Sequence, residues 1–371
     1  MTSRRKFLLA AAQPLAARPI LDSNLRAFFR AGVERNGIAG ASLAIWQKGE
    51  RVFEEQVGQQ NTAKRQPVTA KTIFHWASVT KTMTAIAILQ LRDKGSLWLD
   101  DPVVRHCPDM TLVRNPHGPI LRVTLRHLLS HSSGLRASTW PWDNRPFVPT
   151  APGAWTQLAA TFPETELQFP PGSRFSYSNL GILFLGRAIE QLSGLPYPRY
   201  IAKHIFEPLG MESSYFDRTP AHLLPHRSAS YYRSGASLAA APFDYETGVT
   251  MANSGLNAPL GDMLRYLSAL SGHGPNLVSP RTLDEMWRPI LPADDGDSMG
   301  LSFFVTQRRG VKMVGHMGDQ NGFISRVGAI PASQTAYAVA YNTTAAGPGQ
   351  NTKDFDRQLK EHLIDTIFSR M

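Results

Sequence analysis

The sequence predicts an α/β (α+β) fold: an antiparallel sheet assembled from both ends of the chain and flanked by helices, with an all-helical lobe inserted between. Three observations predict it. Near the start, an amphipathic helical stretch over residues 22–37 precedes two strand-like runs, 41–46 and 51–57, joined by the short turn Gln47-Lys48-Gly49-Glu50. In the last third, residues 301–307, 311–316, 322–329 and 335–341 read as strands separated by turn signals such as Arg309-Gly310 and Ile330-Pro331. Between these regions the apolar periodicity is helical. A helix and one hairpin cannot close a core alone, so the N-terminal strands need the C-terminal ones. The α/β lobe then takes residues of about 21–77 and 290–371 and the helical lobe about 78–289, within one domain over 21–371.

A chain of 371 residues with 42% hydrophobic and 18% charged residues can bury a large core and is neither disordered nor fibrous. The formal net charge is +10, but the arginines are scattered, and no helix-turn-helix, zinc-finger or aromatic RNA-binding signature accompanies them. The charge therefore reads as a solvated surface, and nucleic acid is not an expected partner. Cys107 is alone, which excludes a disulfide framework and a thiolate metal site.

Residues 1–20 read as a twin-arginine-type export signal, with Arg4-Arg5 followed by Phe7-Leu8 and an apolar run to Ala12. This points to a periplasmic or secreted protein; the alternative is a basic N-terminus on a cytoplasmic one. No run approaches the roughly 18 apolar residues of a membrane span.

The middle of the chain opens on a helix expected to run from Ser78 to Gly95, with Ser78 in its first turn. Residues 125–135 read as a short helix running into a glycine turn at Gly134. His127 and His131 stand four apart, but no glutamate follows the first and no third ligand is near, so they read as loop-holding histidines rather than a zinc pair. The proline- and aromatic-rich stretch from Trp140-Pro141-Trp142 to Gly153 has the composition of a pocket cap or of an ordinary packed loop. Helical periodicity resumes over 182–194, 197–206, 259–270 and 279–287, residues 217–250 are irregular, and 354–368 closes the chain as an amphipathic helix.

The chemistry gathers on three stretches. In Ser78-Val79-Thr80-Lys81 the serine and lysine share a helix face, and a buried lysine of lowered pKa can take a proton from a hydroxyl. The spacing alone is weak, since Ser3-Arg4-Arg5-Lys6 has it too. Tyr177-Ser178-Asn179 sits in the loop entering the helix that stops at Gly194, where a phenol can relay protons and an amide can hold a carbonyl; Asn179 is also a candidate helix cap. Gly315-His316-Met317-Gly318-Asp319 carries glycines at a density that lets a backbone approach a ligand and leaves strand-edge N–H groups free.

In this order, Ser78-Val79-Thr80-Lys81, Tyr177-Ser178-Asn179 and His316-Met317-Gly318 resemble the serine β-lactamase and penicillin-binding-protein superfamily, specifically its class C β-lactamase-like branch. The resemblance extends over residues 125–135, 171–194, 205–211, 254–270 and 315–323, and spans about 22–345 in all. It implies an active site in the cleft between the two lobes. It further implies that Ser78 is the acylated nucleophile, Lys81 its base, and Tyr177 the proton relay, above all in deacylation. Asn179 would bind the acyl side of the substrate, His316 would line the strand edge, and the N–H groups of Ser78 and of Asp319, next after Gly318, would hold the oxyanion. No metal or organic cofactor is implied.

Two departures stand out. Relatives usually have a lysine where this chain has His316, and a small residue where it has Asp319, so a fixed positive charge for a substrate carboxylate is missing and an acid stands beside an oxyanion donor. The expected activity is therefore that of an esterase or amidase working through an acyl-enzyme. The alternatives are a β-lactamase, a D-alanyl carboxypeptidase or a D-aminopeptidase, or else a catalytically silent binding protein with the same fold. The expected partners are small ester, amide or β-lactam-like molecules, peptidoglycan fragments included.

Overall fold

The computed structural model describes residues 19–136, 148–243, 246–347 and 349–371. The export-type segment and the loop around Trp140-Pro141-Trp142 lie outside the described residues. The first helix, α1 (Pro19–Arg35), leads into a hairpin of β1 (Gly40–Gln47) and β2 (Glu50–Asn61). At its turn, Lys48 and Gly49 have φ of 49° and 90°, the primed turn whose twist suits two antiparallel strands. After β3 (Gln66–Pro67) and β4 (Ile73–His75), the chain enters α2 (Thr80–Asp93) and later α3 (Asn179–Ser193). It returns through β5 (Leu256–Pro259) and α4 (Leu260–Leu270) to six strands: β6 (Leu291–Pro292), β7 (Ser298–Met299), β8 (Phe304–Arg308), β9 (Val311–Gln320), β10 (Phe323–Ile330) and β11 (Thr335–Tyr341). The closing helix is α5 (Thr352–Thr366).

The main sheet has the order β3-β2-β1-β11-β10-β9-β8-β7-β6, antiparallel throughout, so the two chain ends do meet at its centre, where β1 pairs with β11. Side-chain alternation explains the layers. Ala41, Leu43 and Ile45 of β1, with Tyr337, Val339 and Tyr341 of β11, join Phe29 of α1 and Phe355, Leu359 and Leu363 of α5 in one core. The opposite residues, Ala44 and the row Ala336, Ala338 and Ala340, share a second core with Leu260, Met263 and Leu267 of α4. An alanine row lets a helix lie close on the sheet. That second core runs on without a break into the inserted segment, through Met83 and Ile86 of α2 and Leu183 and Phe184 of α3.

The inserted segment is mainly helical but carries short strands. Tyr215–Phe216 and β4 flank β5 in a three-stranded sheet, and Tyr231–Ser234 forms a hairpin with Ser237–Ala240 inside the stretch expected to be irregular. Tyr231–Ser234 also pairs in parallel with Thr343–Gly347, a partner too distant along the chain to leave a local pattern.

Candidate active site

Between β4 and α2 the chain makes a tight turn. Ala77 has a φ of 47°, a left-handed conformation unusual outside glycine, and Ala77–Val79 forms one 3-10 turn before α2 begins at Thr80. Ser78 therefore stands just before the helix rather than in its first turn, and Lys81 occupies that turn. The strained turn is clamped on every side. The Trp76 N–H donates to Leu256 O at 2.8 Å and its indole N–H to Ala258 O at 2.9 Å, while its own carbonyl accepts from Ser325 Oγ at 2.9 Å. Thr80 Oγ1 donates to Ala77 O at 2.6 Å. From Thr72 to Leu89 every residue is buried except Ser78.

Lys81 is fully buried. Its Nζ lies 2.9 Å from Ser78 Oγ and 2.8 Å from the carbonyl of Asn253, in the short helix Met251–Ser254. Burial, opposed by no acid among the described residues, drives the Lys81 pKa well below its ordinary 10.5. A neutral amine there can give one N–H to Asn253 and turn its lone pair to the serine hydroxyl.

Tyr177 enters from the loop before α3. Its ring centroid is 5.0 Å from Lys81 Nζ, and its phenol lies near enough to Ser78 for the hydroxyl to lower the phenol's pKa. Burial raises the phenol above its usual range and Ser78 opposes this, so it stays protonated at neutral pH. The cap of α3 is Ser178, whose Oγ accepts the Gly181 N–H at 3.2 Å, and not Asn179. The Asn179 side chain is thereby released, and its Oδ1 is buried with no hydrogen-bond partner.

The third wall is β9. Its pairing with β8 stops at Gly315, so residues 316–320 have one open edge. Asn321 and Gly322, with φ of 49° and 79°, form a primed hairpin turn that makes Gln320 and Phe323 a hydrogen-bonded pair. Gly318 and His316 follow in the same phase toward β10, which turns the N–H of Asp319 to the open edge. Gly318 admits no side chain: a Cβ would lie 2.2 Å from Trp76 O, so the strand rests on the turn that carries Ser78. His316, on the same face as Gly318, is buried; its Nδ1 is 2.5 Å from Met317 O and its Nε2 has no partner. Burial, reinforced by Lys81, lowers its pKa to about 3, which leaves a neutral ring with its lone pair on Nε2. The Asp319 carboxylate is not beside the open edge, as its sequence position suggested. Alternation turns it to the opposite face, where it pairs with Lys353 of α5 at 2.5 Å.

The structure thus brings Ser78, Lys81, Tyr177 and His316 together, with Gly318 packed on the turn that carries Ser78 and Asp319 present through its backbone only, while Asn179 begins α3 two residues after Tyr177. Sequence reasoning missed the Asn253 carbonyl, since a backbone acceptor has no residue signature. The two loop histidines face different ways. His127 completes a capping box with Thr124, while the His131 ring stacks on Tyr177 at 4.4 Å. Among the described residues no group of three or more His, Cys, Asp or Glu is placed to hold a metal ion. Two cavities elsewhere, one beside Trp155, Tyr197 and Met251 and one beside Trp46 and Leu264, include none of the cleft residues.

Known proteins share this chain's fold and family. Beta-lactamase-like protein 2 of Dictyostelium discoideum is 28% identical over 307 residues, 81% of this chain and 55% of its own. Protein flp of Staphylococcus aureus is 29% identical over 187 residues, 50% of this chain and 36% of its own. The chain thus spans about half, or less, of the length of these curated relatives. A solved octameric penicillin-binding protein homologue from Pyrococcus abyssi has a TM-score of 0.80 at 27% identity, covering 92% of this chain and 77% of that one. The fold is shared with a class C beta-lactamase, at a TM-score of 0.76 and 19% identity over 94% of this chain and 98% of that one. It is also shared with a D-stereospecific amidohydrolase from Streptomyces sp., at 0.74 and 23% over 92% and 98%. The Beta-lactamase family description matches residues 25–361, and the chain belongs to that family.

Proposed function

We propose that the protein is a serine acyl-hydrolase that forms an acyl-enzyme on Ser78, with esters or amides lacking an anionic group as its substrates. The observation that carries this reading is the buried Lys81 amine 2.9 Å from Ser78 Oγ, its pKa lowered by burial. Lys81 takes the hydroxyl proton as Oγ attacks the acyl carbonyl, and the oxyanion forms between the N–H groups of Ser78 and Asp319. Each such donor contributes on the order of 2.7–4 kcal/mol in comparable sites. Tyr177 relays the hydroxyl proton from Lys81 to the leaving group; in deacylation the relay runs back, taking the proton of the attacking water and returning it to Ser78 as the acyl chain leaves, while Asn179 holds the acyl side.

The substrate preference rests on charge. His316 is neutral and offers a lone pair, as does Asn179 Oδ1, so this wall suits hydrogen-bond donors rather than a carboxylate. A β-lactamase or D-amino-acid peptidase is the second reading, favoured by the fold shared with a class C beta-lactamase and a D-stereospecific amidohydrolase. Export to the periplasm or beyond belongs to the same proposal and rests on Arg4-Arg5 and the apolar run after them.

A fluorophosphonate probe should label wild type on Ser78 and leave Ser78→Ala unlabelled, and kcat/KM on nitrophenyl esters should fall at least about ten-thousand-fold in that variant. Equal activity in the two proteins would leave only a silent binding protein. Fast turnover of nitrocefin would put the β-lactamase reading first.

A further inference from the structure

One residue outside that set holds the Tyr177 loop at three successive positions. His131 is buried in the turn after the helix Leu125–Leu129, with a left-handed φ of 52°. Its carbonyl accepts the N–H of Ser176 at 2.8 Å, and its ring Nδ1 accepts the N–H of Ser178 at 3.1 Å. Between those two contacts the ring lies on the Tyr177 ring, with centroids 4.4 Å apart and planes 23° apart. The edge of Phe175, 6.1 Å away, limits how far the imidazole can swing. A backbone conformation this uncommon outside glycine persists only where its surroundings hold it. Here they do: the Ser132 N–H donates to His127 O at 2.8 Å, and the Gly172 N–H to Ser132 O at 2.7 Å.

An Nδ1 that accepts leaves the ring proton on Nε2, the neutral tautomer. That ring stacks on the tyrosine while its Nδ1 is taken by the Ser178 N–H, so Nδ1 adds no competitor for the phenol proton. Packing alone would need only an apolar side chain of similar size. The two amide acceptances, one on each side of Tyr177, fix where the phenol stands along the chain and how it is rotated.

We propose that His131 is a positioning residue: it sets the height and rotation of the Tyr177 phenol over Ser78 and Lys81, and through them the rate of proton relay. This rests on Tyr177 being the relay of the proposed acyl-hydrolase.

The test is a double-mutant cycle on a nitrophenyl ester. His131→Phe keeps a flat stacking face and removes the Nδ1 acceptor. It should lower kcat about ten- to a hundred-fold, change KM less than about threefold, and cost less than about twofold when Tyr177 is already Phe. His131→Asn, which keeps an acceptor but no ring, should show the same loss of effect in the Tyr177→Phe background. Equal losses in both backgrounds, an unchanged kcat, or failure of both variants to fold would overturn the proposal and leave His131 a packing residue. Ser78 labelling separates the two levels. Wild type without label sinks the reading of the whole site, whereas labelled wild type with an additive cycle sinks only the role of His131.

Discussion

The two faces of the sheet at β9 bury ionisable groups in opposite ways. On the cleft face, burial pushes Lys81, His131 and His316 toward their uncharged forms and keeps the Tyr177 phenol protonated, and no acid among the described residues opposes this at Lys81. On the face toward α5, Arg326 of β10 lies 2.6 Å from Asp356, and Lys360 lies 3.2 Å from Asp297. Burial alone would lower the Arg326 pKa, but Asp356 reverses this and holds the guanidinium charged. Burial penalises charge on both faces. One face answers by shedding protons and the other by pairing, and only the first leaves lone pairs for chemistry.

Lys81→Met should break that contrast with the largest effect. It should cost about a hundred- to ten-thousand-fold in kcat/KM, and wild-type kcat/KM should rise with pH through a midpoint well below 10.5. The same substitution should raise Tm at neutral pH. An unfolded Lys81 keeps its proton up to about 10.5 while the folded one prefers to lose it, so wild-type stability rises as pH climbs toward that value, and Met removes the penalty. An active or less stable Lys81→Met would refute the neutral-base account.

Asp356→Asn probes the other face and should do the reverse. Leaving Arg326 buried without its partner should cost about 3–5 kcal/mol in denaturant unfolding, with kcat of the folded enzyme within about twofold of wild type. A large loss of kcat at unchanged stability would show the faces are coupled. The smallest effect should come from Asp319→Ala. Its pair with half-exposed Lys353 is worth about 0–1 kcal/mol, and the backbone N–H at the cleft survives the change. A drop in kcat/KM beyond about tenfold would mean the carboxylate itself acts.

Much of this was legible before any coordinates. β11 was readable to the residue because both its faces are buried and its turn signals are clean, and the pairing of the chain ends followed from the incompleteness of the first hairpin. Ser78 and Lys81 were readable as a pair because their side chains meet within one turn. What local pattern could not show were contacts made by backbone or across long separations. The Asn253 carbonyl on Lys81, the parallel pairing of Tyr231–Ser234 with Thr343–Gly347, and the left-handed Ala77 that pushes Ser78 ahead of α2 are of this kind. The direction of Asp319 was misjudged for a simpler reason. Strand phase, rather than nearness in sequence, decides which face a side chain meets.

The pairing of β1 with β11 also governs how this chain reaches its native state. Ala44 finds Ala338, and the turn bearing Ser78 finds β9, only after the chain has been made past residue 338 and past β9 respectively. Closures of that span slow folding and lengthen the time during which partly folded chains persist. Throughout that interval β1 presents an unpaired apolar edge, so nascent or truncated chains lacking residues 335–341 are the forms most prone to pair with one another.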